Sequence, residues 1–239
     1  MISININSKT YPAQSQSGEH VAIANLTLRV NSGEFVCLVG PSGCGKTTLL
    51  NLIAGLDHEY EGQINFDSQS TTFGYVFQNP RLLPWRTVRE NIELAVEDDS
   101  SSENIDTLLD VMQLTPFQHV YPERLSLGMS RRVAIIRAFA INPDVLLMDE
   151  PFVSLDAKTA KQIRQLLVSV WQQRPHTVLF VTHDLREAIA IADRIVFLSP
   201  APMKATTEIA VTIPRLEREN EATIEAFRQQ FLRDYPDLL

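Results

Sequence analysis

A glycine-rich stretch that ends in a lysine and a threonine is the part of the sequence best suited to chemistry. Residues 40–47 read Gly-Pro-Ser-Gly-Cys-Gly-Lys-Thr, which is the G-x-x-x-x-G-K-[ST] spacing of a phosphate-binding loop. Glycines let the backbone approach phosphate oxygens, and amides at a helix start favour an anion. Lys46 would reach the β- and γ-phosphates, and the Thr47 hydroxyl would ligate Mg²⁺. The stretch therefore predicts a site for a nucleoside triphosphate.

The sequence on either side supplies the strand and the helix that such a loop needs. The apolar run 35–39 predicts a strand before it, and residues 46–54 predict a helix that ends near Gly55. With both elements in place, a chance match to the pattern is a minor alternative. The nucleotide contacts are assigned to Gly40, Pro41, Ser42, Gly43, Cys44, Gly45, Lys46, Thr47 and Thr48.

A second apolar run, 145–148, predicts a buried strand that ends in two acids. If this strand lies beside the phosphate-loop strand, Asp149 would hold Mg²⁺ through its water shell and Glu150 would polarise the attacking water. An acidic pair after a strand often only caps a helix. The assignment therefore depends on the phosphate loop.

Two further polar residues follow predicted strands. Gln78 comes after the strand 73–77, and His183 comes after the strand 177–181. In parallel α/β sheets, ligands bind at the carboxyl ends of the strands. Gln78 could ligate Mg²⁺ or hold the water, and His183 could donate to the γ-phosphate. Either residue taken alone is as often structural.

The composition bounds the other classes of function. The chain has 239 residues, 44% of them hydrophobic, and a net charge of -8, which allows a sizeable core but argues against a general nucleic-acid binder. Cys37 and Cys44 are not placed for a disulfide, so a reducing, cytosolic compartment fits best. We expect no signal peptide, and no stretch approaches the roughly 20 apolar residues that cross a bilayer.

The remaining pattern is β-rich at the front, helical over about 87–141, and alternating afterwards. Strands are predicted at 2–6 and 21–30, with a polar segment from Ser8 to His20 between them. Residues 97–103 predict an exposed acidic loop. The later strands, 177–181, 194–198 and 209–213, with helices between them and a helical tail over 215–239, predict a parallel sheet.

Taken in chain order, the phosphate loop, Gln78, the acidic pair and His183 resemble the motifs of the ATP-binding subunit of an ABC transporter. The set also includes Leu125-Ser126-Leu127-Gly128-Met129 and Ser154-Leu155-Asp156, and it covers nearly the whole chain. The resemblance implies an α/β fold: a RecA-like P-loop core with an antiparallel β subdomain and an inserted α-helical subdomain at about 87–141. The whole of 1–239 would be a single ABC ATPase domain that binds ATP with Mg²⁺.

The resemblance also assigns roles to the candidate residues. Two subunits would sandwich two ATP molecules head to tail, so that Ser126 and Gly128 of one chain complete the site of the other. The family also places an aromatic residue on the adenine. Tyr11 is the candidate, and a tyrosine in a polar loop is the alternative. The other implied roles are Glu150 as general base, His183 as switch histidine, Gln78 as the Q-loop residue, Asp156 as the D-loop aspartate, and Thr47, Gln78 and Asp149 as metal ligands.

The signature segment departs from the family pattern. Leu127 stands where the family has its first glycine, and Ser130-Arg131-Arg132 replaces the common Arg-Gln-Arg. Leucine does not readily adopt a positive φ. Two functions therefore stay open: an ATP-hydrolysing transport subunit, or an ATP-gated dimerising clamp with weak hydrolysis. An ABC ATPase acting on DNA or ribosomes lacks room here for its coiled coils, and no Asn-Lys-x-Asp motif indicates a GTPase.

Residues 76–92 resemble the nitrate/sulfonate/taurine branch of the importers. That branch implies membrane permease partners, indirectly an extracytoplasmic solute-binding protein, and a peripheral position on the cytoplasmic face of the inner membrane. No nucleic-acid partner is expected. Leu82, Leu83 and Trp85 are either local core or the floor of a groove for a permease helix. The resemblance implies that specificity for the transported solute resides in these partners.

Overall fold

The computed structural model describes residues 1–12, 19–68, 70–96 and 102–236. They fall into two compact units, which we describe separately: unit 1, residues 1–70 and 177–239, and unit 2, residues 71–176. In chain order the elements are β1 (Ile2–Tyr11), β2 (His20–Val30), β3 (Phe35–Val39), α1 (Lys46–Ile53), β4 (Glu61–Phe66), β5 (Phe73–Val76), α2 (Val88–Glu93), α3 (Ser102–Val111), α4 (Leu127–Ala140), β6 (Val145–Asp149), α5 (Ala157–Gln173), β7 (Thr177–Thr182), α6 (Leu185–Ile191), β8 (Arg194–Leu198), β9 (Ala205–Ala210) and α7 (Glu221–Asp234).

Unit 1 begins with an antiparallel sheet in the order β2-β1-β4. The alternating residues Ile2, Ile4 and Ile6 are buried, as the sequence pattern predicts for a half-buried strand. The prediction of a polar segment from Ser8 is wrong for residues 8–11, which continue β1. They do so because each pairs with a β2 residue, through to Tyr11 opposite His20, and a strand is held by its backbone ladder whatever its side chains.

The second sheet of unit 1 places β3 between two parallel neighbours, β7 and β8. All five residues of β3 are buried, which is typical of a parallel strand covered on both faces. The edge strand β9 pairs antiparallel with β8, from Ala205 to Ala210. The strand predicted at 209–213 is therefore wrong beyond residue 210, because the apolar residues there follow the end of the ladder rather than forming it.

Unit 2 contains a parallel pair, β5 and β6, and the described residues between these two strands form helices and turns without a strand. Thr87 and Glu90 form a capping box at the start of α2. Of the predicted loop at 97–103, residues 97–101 lie outside the described residues, and the last two belong to α3. The treatment of 87–141 as a subdomain inserted in one domain stays a prediction.

The C-terminal tail is only partly helical. The helix predicted over 215–239 is confirmed for 221–234 as α7, while Arg215–Glu217 form a short 3₁₀ turn. Residues 237–239 lie outside the described residues. Throughout the described ranges, none of the helices has both the length and the hydrophobicity needed to span a bilayer.

A buried histidine ends unit 2. His176 is 8% exposed, its ring meets the Phe139 ring edge-on at 5.6 Å between centroids, and its carbonyl accepts a 2.8 Å hydrogen bond from Trp171 Nε1. Burial lowers the pKa of His176 below its ordinary value of 6.5, because desolvation disfavours the imidazolium, although a hydrogen bond to the Pro143 backbone opposes the shift.

The lowered pKa of His176 predicts a stability that depends on pH. The unfolded chain binds more protons around pH 6, so the contribution of His176 is complete above about 6.5 and is lost as the pH falls through the folded pKa. We expect the free energy of unfolding to drop between pH 7.5 and 5.5, and His176→Gln to reduce that drop. Urea unfolding at both pH values measures it. The exposed His119→Gln is the control and should keep the wild-type drop; equal drops in wild type and His176→Gln would contradict the prediction.

Candidate functional site

The phosphate loop joins the end of β3 to the start of α1. Its turn depends on Gly45, which has a φ of 113° and is the residue immediately before the helix. This left-handed conformation favours glycine, and a Cβ here would also lie 3.2 Å from the Ala22 carbonyl oxygen. The local sequence therefore forces the chain to enter α1 with its first amides facing the loop, which is the geometry that binds anions.

Lys46 is the first residue of α1, and its side chain turns back over the loop. It is 5% exposed, and Nζ donates to the carbonyl oxygens of Gly40 and Pro41, each at 2.8 Å. The ammonium is thus held within the loop rather than extended into solvent. A charge in this position beside helix amides makes the loop a cationic cradle for a phosphate chain.

Tyr11 lies at the end of β1 and contacts the loop helix. Its hydroxyl shares a 3.1 Å hydrogen bond with Thr48 Oγ1, and the residue is 37% exposed. Residue 11 belongs to a paired strand and not to a loop, while the contact of Tyr11 with adenine stays a prediction. The structure therefore brings Tyr11 and Thr48 together, two of the residues that the sequence assigned to the nucleotide.

His183 follows β7 directly and is exposed. Because Val39 of β3 pairs in register with Thr182 of β7, His183 and the phosphate loop both leave the carboxyl ends of adjacent parallel strands. This edge is where ligands bind in such sheets. Asp184 caps α6 by accepting a 2.7 Å hydrogen bond from the Arg186 amide, so the backbone that follows His183 is fixed.

In unit 2, the carboxyl ends of β5 and β6 bring the remaining catalytic candidates near one another. Val76 pairs with Met148, which sets Gln78 two residues beyond one strand end and Asp149 at the end of the other. Asp149 is 4% exposed. Glu150 has a φ of 43°, a left-handed conformation that non-glycine residues adopt chiefly where the surrounding structure imposes it, often at functional sites.

Asp149 also affects a neighbouring phenol. Burial raises the pKa of Tyr75, and the negative charge of Asp149 raises it further. Burial is thus the main cause of the raised pKa of Tyr75, the Asp149 carboxylate adds to it, and Arg81 opposes it. A buried carboxylate of this kind is suited to a divalent cation.

The signature segment forms the start of α4. Ser126 is its N-cap, and Oγ accepts a 3.2 Å hydrogen bond from the Met129 amide. Gly128 is buried, and a Cβ there would lie 2.8 Å from Thr159 Cγ2. The Thr159 amide also donates a 3.0 Å hydrogen bond to the Asp156 carboxylate. Thr159, in the first turn of α5, therefore lies beside the signature glycine and is bonded to Asp156.

Leu127 is the first residue of α4 and is 44% exposed. Its backbone is helical, a region open to every L-residue. The concern that leucine cannot adopt a glycine-like φ therefore does not apply at this position. What the substitution changes is the side chain that the helix end presents to its surroundings.

The arginines of α4 have a role that the sequence motifs do not predict. Arg131 is 4% exposed; its guanidinium donates to the Gln78 carbonyl and, at 3.5 Å, to the Val153 carbonyl. Arg137 donates to the Pro80 carbonyl at 2.8 Å. The available signal was that Arg131 lies four residues before the buried Ile135, on the apolar side of the helix.

Comparison with known proteins places these features in a family. The model of the ABC transporter family matches residues 23–153. The chain is 39% identical over 241 residues to the aliphatic sulfonates import ATP-binding protein of Bacillus cereus, covering 98% of this chain and 95% of that one. It is 41% identical over 237 residues to the nitrate import ATP-binding protein of Synechococcus elongatus, covering 94% and 86%.

Solved structures agree with the sequence relatives. The dimeric structure of MJ0796, a bacterial ABC transporter cassette, superimposes with a TM-score of 0.77 at 32% identity, covering 90% of this chain and 100% of that one. The same cassette in a post-hydrolysis state bound to ADP and Pi gives a TM-score of 0.76 at 31% identity. The predicted α/β RecA-like fold is thereby confirmed, as is the resemblance to the nitrate/sulfonate branch.

The family model spans more than half of the chain, and the relatives above 30% identity span nearly all of it. The chain therefore belongs to the ABC transporter family, as one of its ATP-binding, ATP-hydrolysing subunits.

Proposed function

We propose that the chain binds and hydrolyses ATP to drive a membrane importer of a small anion of the nitrate, sulfonate or taurine class. The observation that carries the proposal is the phosphate loop, with Lys46 buried over it and bonded to its carbonyls. The solute class is supported by the names of the relatives. The sulfonate and nitrate proteins have nearly the same sequence identity to this chain, 39% and 41%. We therefore propose the class of small anions rather than one member of it.

In this proposal, the residues 40–48 hold the triphosphate. Phosphate oxygens would replace the Gly40 and Pro41 carbonyls as partners of the Lys46 ammonium, since a charge-assisted hydrogen bond to phosphate is stronger than one to a neutral carbonyl. The amides at the start of α1 would bind the same oxygens. ATP is the substrate, and ADP and inorganic phosphate are the products.

Hydrolysis requires a positioned water and a base. We assign Glu150 as the base that takes the proton of the attacking water, while Gln78 orients that water and His183 donates a hydrogen bond to the γ-phosphate. Asp149, Gln78 and the Thr47 hydroxyl offer the hard oxygen donors that fit Mg²⁺. When bound, Mg²⁺ would neutralise charge on the β- and γ-phosphates.

Two copies of the chain would complete each site. Both solved neighbours are dimers, and in the proposed homodimer the Ser126 hydroxyl and the Gly128 amide of one copy approach the γ-phosphate held by the other. Asp156 would lie at the same interface. The helical backbone at Leu127 supports a transport ATPase over the weakly hydrolysing clamp, because the torsional reason for weak hydrolysis is absent.

Permease docking is assigned to the segment between β5 and α2. The buried Asn91 side chain accepts from the Leu83 amide at 2.7 Å and donates to the Arg86 carbonyl at 2.9 Å, which fixes the segment while Trp85 remains 68% exposed. A large aromatic side chain on a rigid loop is a good anchor for a partner helix. We propose that this loop receives a permease on the cytoplasmic face of the inner membrane, and that a solute-binding protein acts on the far side.

Replacing the proposed base should separate binding from hydrolysis. We expect Glu150→Gln to reduce ATP turnover at least about 100-fold, the usual contribution of a general base, while ATP still binds and holds a dimer. Turnover is measured by phosphate release and the dimer by size-exclusion chromatography with ATP. Asp110→Asn, an exposed carboxylate on α3, is the matched control. Undiminished turnover in Glu150→Gln would refute the assignment.

Restoring the family glycine tests the clamp directly. Because Leu127 already has a helical backbone, we expect wild type to turn over ATP and Leu127→Gly to change that rate by less than about threefold. Steady-state ATPase rates, with and without the permease, provide the measurement. The clamp would replace our proposal if wild type were inactive even with its permease and Leu127→Gly restored turnover.

Removing the exposed indole should weaken the permease complex alone. Truncating a central anchor costs about 2 kcal/mol or more, so Trp85→Ala should bind its permease roughly 30-fold more weakly and lower transport, with the ATPase rate of the isolated chain unchanged. Co-purification and transport assays measure these effects. Leu216→Ala, 93% exposed in unit 1, is the control. Normal transport by Trp85→Ala would exclude this docking site.

A further inference from the structure

A lysine is buried in the strand that carries Tyr11. Lys9 of β1 is 1% exposed, which is rare for lysine unless its charge is paired. Its Nζ lies 2.8 Å from one carboxylate oxygen of Asp57 and 3.0 Å from the other. Asp57 follows α1, the helix that begins at the phosphate loop. The ion pair therefore ties the end of β1 to the loop helix.

The carboxylate of this pair is held in its charged form. Although burial alone raises the pKa of Asp57, hydrogen bonds from Lys9 and from the Glu59 amide hold that pKa below its ordinary value. The Glu59 amide donates to the same oxygen as Lys9, also at 3.0 Å. At neutral pH the contact is thus an ion pair in which the Asp57 carboxylate accepts hydrogen bonds from Lys9 and from the Glu59 amide.

The same ammonium lies over the ring of Tyr11. Lys9 Nζ is 4.7 Å from the ring centroid, within the range of a cation–π contact. The ring hydroxyl is bonded to Thr48 Oγ1 at 3.1 Å. The ring is therefore fixed on one face by Lys9, at its rim by α1, and at its root by the paired strand, while the residue keeps 37% of its surface exposed.

We propose that Lys9 and Asp57 are positioning residues that hold Tyr11, together with its bond to Thr48, as a preformed platform for the purine base of a nucleotide bound at the phosphate loop. The proposal rests on the proposed function and deepens it. A cation on one face draws electron density from the phenol ring, which strengthens stacking of an electron-rich base on the other face. A ring that is already fixed also loses little conformational freedom on binding.

The platform should contribute to base recognition and leave phosphate binding unchanged. Stacking of a base on an aromatic side chain is worth between about 5-fold and 150-fold in affinity. Tyr11→Ala should therefore weaken ATP binding at least about 10-fold, and Tyr11→Phe, which loses only the bond to Thr48, about threefold. Affinity for inorganic tripolyphosphate, which has no base, should change less than twofold in both variants.

The test of the positioning role measures ATP and tripolyphosphate binding to the full chain by isothermal titration calorimetry. Lys9→Met leaves the half-buried Asp57 carboxylate without its lysine and risks misfolding. The double variant Lys9→Met with Asp57→Asn removes both charges, and circular dichroism confirms its fold. We expect this double variant to bind ATP about fivefold more weakly and tripolyphosphate as wild type does. Lys204→Met, an exposed lysine of unit 1, is the control.

The two affinities together distinguish failure of the positioning role from failure of the proposed function. A wild-type ratio of the two affinities in the double variant would overturn the positioning role, and an equal loss of both ligands would show that Lys9 supports the phosphate loop instead. Lys46→Ala should lose both ligands. If wild type itself bound neither ligand, or if Lys46→Ala bound both normally, the proposed function would fail, and this proposal with it.

Discussion

The structure depends on one turn, in which a fully buried parallel strand must become a helix that faces a phosphate chain. Gly45 makes this turn with a φ of 113°, where a side chain would be both strained and crowded. Once the turn is made, α1 begins at the end of the loop, and the Lys46 ammonium bonds to the Gly40 and Pro41 carbonyls at the start of the loop. The neighbouring strand β7 then adds His183 through its register with β3.

In unit 2, arginine side chains of α4 are bonded to backbone carbonyls of the segment that follows β5. Arg131 and Arg137 of α4 donate to the carbonyls of Gln78 and Pro80, so the helix that begins at the signature also holds the segment after β5. A guanidinium group that loses water needs several acceptors to offset its desolvation. Arg131 is buried and Arg137 is partly buried, and desolvation lowers the pKa of both. A displacement of the Gln78 segment would therefore act on α4 through these hydrogen bonds.

A feature could be predicted from the sequence when the residues that determine it are close together along the chain. The phosphate loop, the capping box at Thr87 and the buried strand β3 are local, because the residues that determine them are neighbours in sequence. The continuation of β1 to Tyr11 depends on pairing with β2, and the partner of Lys9 is 48 residues away. A lone lysine in a polar stretch gives no sign of such a partner. The bounds of β9 are non-local for the same reason. They are set by register with β8, and the apolar Val211 and Ile213 are buried beyond the end of the strand.

Leu127 shows that a glycine in a sequence motif can have two different structural reasons. A glycine in a motif can be required for its torsion angles or for the absence of a side chain, and either requirement would exclude leucine. At the start of α4 the torsion is helical, so the substitution costs the fold little. The isobutyl group is 44% exposed beside Ser126, whose hydroxyl already caps the helix. Any effect of Leu127 must therefore act through what touches that surface, and a partner copy that fits an apolar side chain there would gain buried area from it.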